Sequence, residues 1–252
     1  MTIIKRLRKT ITTTFTAILV FALLTGASPA QSVFLGLISP SRRTAVKIPS
    51  EVIFRNSADA VFMLETFSIS GETIRTGSGF FISETGLAVT NLHVFDYAAS
   101  ATITLYNGDV YAVRGVNATS EKHNLVMFSI DSDDGGWDYL PIADSDLIET
   151  GNSVYVIGSP LELINTMTAG IIGNVSREVN GESLIQITAP ISFGSGGSAL
   201  LNTRGEVIGV ASQSYSYGQN LNLAVPINRI NSMDPGEPVS LAEFIEIRES
   251  GE

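Results

Sequence analysis

Two stretches of the sequence carry side chains that could do chemistry. In the first, a strand-like run over residues 87–90 leads to His93, one of two histidines in the chain. In the second, residues 191–202, serines alternate with glycines, at Ser195 and Ser198. An imidazole takes up or releases a proton near neutral pH, and a histidine with a serine is a pairing used in nucleophilic catalysis. The chain has no cysteine, which excludes thiolate chemistry, zinc–thiolate sites and disulfides.

We expect neither a metal nor a cofactor. His93 and His123 are the only imidazoles in the sequence, so a site with three histidine ligands is excluded. The acidic stretch 131–136 faintly resembles a calcium loop, but the acidic ligand expected at loop position twelve is Ile142. We interpret 131–136 as a solvated connection, and His123 as a partly exposed residue at a strand edge.

The elements that must position these residues are short strand-like runs between turn signals. Two sets of six predict an all-β fold, as two packed barrels or a sandwich, with the division at residues 131–136. Residues 241–248 alone show helical periodicity, and Ser240 with Glu243 forms a capping box before them. The predicted strands are residues 61–69, 79–82, 87–90, 101–106, 110–115 and 124–130, then 153–157, 166–172, 184–187, 199–201, 207–211 and 221–225.

Four motifs follow one another between residues 61 and 228: Gly77-Ser78-Gly79-Phe80-Phe81-Ile82, Thr90-Asn91-Leu92-His93-Val94, Ile191-Ser192-Phe193-Gly194 and Gly205-Glu206-Val207-Ile208-Gly209. In this order and at domain-scale spacing they resemble the trypsin-like serine peptidases of the chymotrypsin clan, in particular the HtrA/Deg-like branch. The resemblance implies two perpendicular six-stranded antiparallel barrels with the active site in the cleft between them. It also implies a short C-terminal helix, which we expect to pack on the second barrel.

The resemblance assigns roles to individual residues. His93 would be the general base, and a serine of the glycine-rich loop would attack the peptide carbonyl. Backbone N–H groups of that loop, which contains Phe193, Gly194, Gly196 and Gly197, would form the oxyanion hole. Glycine suits this loop because it lets the amides turn toward one point and lets the substrate backbone approach without a Cβ clash.

The first departure from the family pattern is at the third triad position. The family carries Asp-Leu-Ala, and this chain has Asn124-Leu125-Val126. Asn124 could accept a hydrogen bond from the His93 ring, but it cannot supply the negative charge that stabilises an imidazolium. Asp96 and Asp131 are the nearest acids in sequence, and the sequence does not place either against the ring.

The second departure is in the serine loop. The family pattern is Ile-Ser-x-Gly-x-Ser-Gly-Gly-x-Leu, and an ungapped alignment puts Gly196 at the nucleophile position. A shift by one residue would make Ser195 the nucleophile, which is the assignment we favour. Ser198 is an alternative nucleophile, and the third possibility is that the loop has none.

Two functions remain open from these residues. The first is an exported serine endopeptidase of modest activity that uses His93, Asn124 and Ser195. The second is a catalytically inactive relative that keeps the cleft as a peptide-binding or scaffolding surface. Neither an acid before the serine loop nor a histidine on the strand after it is present, so we expect a small or medium apolar side chain in the primary pocket.

The first thirty residues have the composition of a secretory signal. A basic head precedes an apolar stretch over residues 11–25, and cleavage is predicted after Ala30; an uncleaved anchor is the alternative. Removal takes away four of the 15 basic residues and no acidic one, so the net charge moves from −10 to −14. We therefore expect a protein or peptide partner in the periplasm or outside the cell, with neither nucleic acid nor membrane bound after cleavage.

The predicted organisation is a signal peptide (1–30), a linker (31–50), a first barrel (51–134), a second barrel (135–232) and a tail with a short helix (233–252). About two dozen residues follow Asn228, so we expect no PDZ domain of the kind that many HtrA relatives carry.

Overall fold

The computed structural model describes residues 48–132, 135–214 and 221–250. The predicted signal peptide and most of the predicted linker lie outside the described residues, so they stay predictions. Within the described chain, no helix is both long and apolar enough to cross a membrane.

Twelve strands of the described chain form two closed antiparallel barrels of six strands each. The first barrel has the strand order β1-β2-β3-β6-β5-β4, and the second has the order β10-β11-β12-β9-β8-β7. The strands are β1 Val61–Phe67, β2 Thr73–Phe81, β3 Leu87–Asn91, β4 Ser100–Thr104, β5 Val110–Ser120, β6 Leu125–Ile130, β7 Ser153–Gly158, β8 Thr166–Val179, β9 Glu182–Ile187, β10 Ala199–Leu201, β11 Val207–Ser214 and β12 Asn222–Pro226. The predicted fold class is therefore confirmed.

Each of the twelve predicted runs overlaps one of these strands, and the longest extension at one end of a strand is at β8. The strand continues to Val179 and turns through Asn180 and Gly181, which have φ angles of 53° and 81°. Asn-Gly is the preferred sequence for a two-residue hairpin turn that needs positive φ at both positions. The seven residues that prolong β8 are mainly exposed, so they lack the hydrophobic pattern on which the prediction depended.

Apolar side chains fill each barrel and also join the two. Phe62, Phe81 and Phe128 are fully buried inside the first barrel, where the Phe62 ring packs tilted against Phe81 and edge-to-face against Phe128, with ring centroids 4.9 and 6.0 Å apart. A third cluster combines residues of both barrels, so neither barrel buries its apolar surface without the other. Members of this shared cluster include Val61, Phe80, Val89 and Leu125 from the first barrel, and Ile157, Leu201, Val207 and Val225 from the second.

Helix α1 (Ser50–Ser57) precedes the first barrel, and helix α2 (Leu241–Ser250) follows the second barrel in the chain. One of the two hydrogen bonds of a capping box is present: Glu243 N–H donates to the Ser240 hydroxyl at 3.4 Å. The expectation that this helix packs on the second barrel was wrong: Leu241 and Phe244 are buried with the core of the first barrel. Val239 causes this, because it exchanges two backbone hydrogen bonds with Val116 of β5 and so directs the helix there.

Candidate active site

His93 lies in a short 3₁₀ turn, Leu92–Phe95, directly after β3. Leu92, Val94 and Phe95 are each buried to at least 98%, so the turn is anchored in the barrel core while the His93 ring faces the cleft. This alternation of buried neighbours with one half-buried imidazole holds the ring at a defined place and orientation.

Asn124 meets this turn from the start of the neighbouring strand, because β6 pairs with β3 and Asn91 lies opposite Leu125. It ends the connection between β5 and β6 with φ 51°, a left-handed conformation that asparagine tolerates better than most residues. Its carbonyl accepts from the N–H of Leu92 at 3.0 Å, and its side-chain Oδ1 accepts from the backbone N–H of His93 at 2.9 Å. The sequence predicted that Asn124 contacts the His93 ring, and the structure brings the two residues together.

The orientation of the Asn124 amide determines which ring nitrogen of a neutral His93 carries the proton. A backbone N–H can only donate, so the atom that accepts from His93 N–H is the amide oxygen, and Nδ2 takes the other place. Nδ2 lies 2.9 Å from His93 Nδ1, closer than Oδ1 at 3.2 Å. Since Nδ2 is the closer atom, we assign it as the donor to Nδ1 of the neutral ring, which places the ring proton on Nε2, the nitrogen nearer the serine loop.

Burial lowers the pKa of His93 from its ordinary value of 6.5, because a low-dielectric environment disfavours the imidazolium. The charge of Asp96 opposes this effect, and the charge of Arg75 adds to it. The neutral ring with its Nε2–H is therefore the form present near pH 7.

The glycine-rich loop reaches the His93 ring at Gly196. A Cβ built on Gly196 would lie 3.5 Å from His93 Nε2, which is ordinary van der Waals contact. This is the place that a nucleophile would occupy, and here it holds no side chain. Gly197, with φ 88°, allows the close approach, since a Cβ there would collide with the Ser78 carbonyl and the Thr90 hydroxyl.

The two candidate serines lie on the other side of the loop. Ser195 is only 5% exposed, and its hydroxyl accepts from the N–H of Ser192 at 3.1 Å. Ser198 is fully buried against Gly158, where a Cβ would overlap its hydroxyl. Both line a separate cavity of about 210 Å³, and neither is hydrogen-bonded to His93. This geometry differs from the expectation that Ser195 acts with His93. A shift of the loop by one residue, which would bring Ser195 to the ring, would break the hydrogen bond between Ser192 N–H and the Ser195 hydroxyl.

Ser78 holds the loop in this position, and sequence reasoning missed it. Its hydroxyl donates to the Gly194 carbonyl at 2.8 Å and accepts from Ser159 N–H at 2.8 Å. Its N–H donates to the Gly196 carbonyl at 2.8 Å. The signal available in the sequence was its place between two glycines, Gly77 and Gly79.

The His93 ring opens into a cleft of about 850 Å³. Arg75 and Val94 line one wall, and Leu161, Phe193 and Ser212 line the opposite one. The Phe193 side chain is 90% exposed, which is unusual for a large apolar residue and places it at the mouth of the cleft.

The other titratable residues considered in the sequence, Asp96, Asp131 and His123, form contacts away from the His93 ring. Asp96 binds Arg248 at 3.0 Å and lies 3.9 Å from Arg75, whereas Asp131 pairs with Arg114 at 3.5 Å, so neither carboxylate is hydrogen-bonded to the ring. His123 binds Glu182 of β9 at 2.7 Å and so joins the two barrels. Among the described residues, no group of three or more possible ligands could hold a metal ion.

Comparison with known proteins gives the same family. A model of the trypsin-like peptidase domain matches residues 77–210. HhoA of Synechocystis sp. is 28% identical over 222 residues, which cover 81% of this chain and 56% of that protein. The mitochondrial serine protease HTRA2 of Bos taurus is 31% identical over 208 residues, 78% of this chain and 44% of its own length.

A probable periplasmic serine endoprotease, DegP-like, of Marinomonas sp. is 36% identical over 152 residues, 58% of this chain and 31% of its own length. The chain thus spans between about a third and somewhat more than half of these relatives. Two closed six-stranded barrels, a histidine in the cleft between them and the match over residues 77–210 lead to one conclusion: the chain belongs to the trypsin-like peptidase family, in its HtrA/DegP-like branch.

Proposed function

We propose that this chain is a non-catalytic member of its family that binds polypeptide segments in the cleft between its barrels. One observation carries the proposal: the loop residue nearest to His93 Nε2 is Gly196, which has no nucleophile. The hydroxyls of Ser195 and Ser198 are buried on the other side of the same loop.

The protonation state of His93 supports the same conclusion. A general base needs a free lone pair on the nitrogen that faces the nucleophile, and the tautomer assigned above puts the proton on that nitrogen. Replacement of the triad aspartate by asparagine in a related peptidase imposes the same wrong tautomer and lowers turnover by about four orders of magnitude. The base and the nucleophile are thus both lost, whereas the fold that frames them is kept.

The cleft keeps what peptide binding needs. Phe193 and Leu161 expose 90% and 64% of their surface at its wall, and large apolar side chains beside a concave surface are typical anchors for a bound chain. We expect the bound segment to place an apolar side chain against them, in keeping with the small or medium apolar preference inferred from the sequence.

The other function, serine endopeptidase activity through Ser195, requires a rearranged loop. The Ser192 N–H to Ser195 Oγ hydrogen bond would have to break, and the Ser195 side chain would have to leave its cavity and pass to the His93 side. Relatives named as serine proteases favour this function, and the loop geometry disfavours it.

We further propose that the chain is exported, because residues 1–30 have the form of a signal peptide and a relative is named as periplasmic. Amino-terminal sequencing of the protein recovered from a bacterial periplasm should begin at Gln31. An intact amino terminus would contradict cleavage after Ala30.

The test of the main proposal combines labelling with binding. Purified mature protein should not react with a fluorophosphonate probe, and it should bind fluorescein-labelled unfolded lactalbumin in an anisotropy titration. Phe193→Ser should weaken that binding, whereas Ile69→Ser, a matched change at an exposed residue outside the cleft lining, should not. Labelling at Ser195 would overturn the proposal that the chain is non-catalytic. Absence of binding would overturn the proposal that the cleft binds polypeptide segments.

A further inference from the structure

We propose that the cleft recognises the free carboxylate at the carboxyl end of a peptide, which would occupy the space beside Gly196. The inference deepens the proposed function and rests on it. It assigns a use to the position from which the nucleophile is missing.

The first argument is space. A side chain on Gly196 would point at His93 Nε2, so the missing Cβ and hydroxyl leave room for ligand atoms between the loop and the ring. Gly194 and Gly196 both line the cleft, and neither has a side chain that would keep a ligand away from the backbone.

The second argument is that the loop offers unused donors there. Three amides of the loop are used by protein acceptors: Ser195 N–H donates to Ser192, Gly197 N–H to Ala211, and Ser198 N–H to Ser195. Within the described part of the chain, the N–H groups of the two cleft-lining glycines, Gly194 and Gly196, donate to no protein acceptor.

The carbonyls of those two glycines are turned away from the ligand space. Gly194 C=O accepts from the Ser78 hydroxyl, and Gly196 C=O accepts from the Ser78 N–H. The carbonyls of these two glycines are therefore occupied whereas their N–H groups are free, and a negatively charged group fits free N–H donors.

The third argument is the Nε2–H of His93. Asn124 holds the proton on Nε2, so the ring is a donor toward the Gly196 position and not an acceptor. Together with the two glycine amides it forms a set of three donors, which matches the two oxygens of a carboxylate.

The fourth argument is charge. The described residues that line the cleft include no Asp or Glu and one permanent cation, Arg75, although the chain as a whole has a net charge of −10. Asp96 lies 3.0 Å from Arg248 and 3.9 Å from Arg75, so its closer partner is Arg248. An anionic end group is attracted here, and the exposed Phe193 can receive the last side chain of the peptide.

The test uses fluorescein-labelled peptides ending in Val-Ala-Leu, prepared as the free acid and as the carboxamide. The full mature protein should bind the acid at least about tenfold more tightly, because hydrogen bonds to a charged acceptor are lost in the amide. A third peptide, an amide with Glu three residues from its end, should bind as weakly as the first amide.

Two variants separate this inference from a general effect of the cleft. Gly196→Ala puts a methyl group in the ligand space, and Asn124→Asp moves the ring proton to Nδ1 and adds a negative charge. Both should reduce the preference for the acid to less than about twofold. Gly236→Ala, where a Cβ meets open space, and Asn152→Asp, which adds the same charge at an exposed turn, are the matched controls and should keep the preference.

The outcomes are distinct. Equal binding of acid and amide would overturn the carboxylate site and leave peptide binding intact. Binding of the Glu peptide as tight as that of the acid would also overturn it, in favour of acidic side chains. Absence of binding by all three peptides, with Phe193→Ser also without effect on unfolded lactalbumin, would overturn both proposals.

Discussion

The amide of Asn124 spans the backbone and the ring of the same residue, His93: its oxygen accepts from the His93 N–H at 2.9 Å, and its nitrogen lies 2.9 Å from Nδ1. An aspartate in the same place could accept at both positions, so the two alternatives put the ring proton on opposite nitrogens. Replacing one carboxylate oxygen by an amide nitrogen thus changes Nε2 of His93 from a proton acceptor into a hydrogen-bond donor.

Restoring both missing groups should restore chemistry. Gly196→Ser combined with Asn124→Asp should give fluorophosphonate labelling at position 196, because φ at Gly196 is not positive and a Cβ there fits at 3.5 Å from Nε2. Gly196→Ser alone should react about four orders of magnitude more slowly. Mass spectrometry of the adduct and hydrolysis of a casein substrate measure this. Activity that survives the addition of His93→Ala would show that the engineered group does not use the ring.

The tautomer of His93 can be observed directly. In ¹⁵N spectra at neutral pH, Nε2 of wild-type His93 should have the shift of a protonated nitrogen and Nδ1 that of an unprotonated one. Asn124→Asp should exchange the two patterns, whereas Asn152→Asp, which adds an equal charge elsewhere, should not. A protonated Nδ1 in the wild type would contradict the assigned amide orientation.

The lowered pKa of His93 predicts a stability change with pH. Between that lowered value and the ordinary 6.5, the unfolded chain binds more protons than the folded chain. The free energy of unfolding should therefore fall as the pH drops below about 6.5, and it should not change with the titration of this group above that value. Urea titrations of wild type and His93→Gln should differ in this interval, with the variant losing part of the slope. Parallel curves would show that His93 has the same pKa in both states.

The two loop serines should respond in opposite directions to removal of the hydroxyl. Ser195→Ala loses the acceptor of Ser192 N–H and should lower the free energy of unfolding by about 1 kcal/mol. The buried Ser198 hydroxyl has no hydrogen-bond partner among the described residues, so Ser198→Ala should be neutral or stabilising by up to about 1 kcal/mol. Chemical denaturation measures both. A large loss in Ser198→Ala would reveal a hydrogen bond at this hydroxyl.

Ser78 should matter more than its position outside the loop suggests. Its hydroxyl joins the Gly194 carbonyl to the N–H of Ser159, so Ser78→Ala leaves two buried groups unpaired and should cost about 2 to 3 kcal/mol. Peptide binding should weaken as the loop loses this support. Ser83→Ala, in an exposed hairpin, is the control and should cost less than about 1 kcal/mol. Equal losses in the two variants would argue against the supporting role.

The strand pattern of the sequence was sufficient for the twelve strands and the all-β class, because strand alternation and turn residues are local; it left barrels or a sandwich open, and the barrels followed from the family resemblance. The sequence also determined that His93 and Asn124 belong to one site, since both stand next to a strand in recognisable motifs. It could not place helix α2, because the choice of barrel depends on Val239 pairing with Val116, more than 100 residues away. It missed the hairpin at Asn180 and Gly181 because the residues before it carry no apolar pattern.

Which loop residue faces the His93 ring depends on the tertiary structure. In the sequence, Ser195, Gly196 and Ser198 are neighbours, and a one-residue shift separates a nucleophile from none. The register is set by contacts from other elements: Ser78 binds the carbonyls of Gly194 and Gly196, and Gly158 leaves room for the Ser198 hydroxyl. These groups lie far apart in the chain and meet only when both barrels are folded together. For that reason the sequence identifies the family, whereas the folded loop identifies the residue opposite His93.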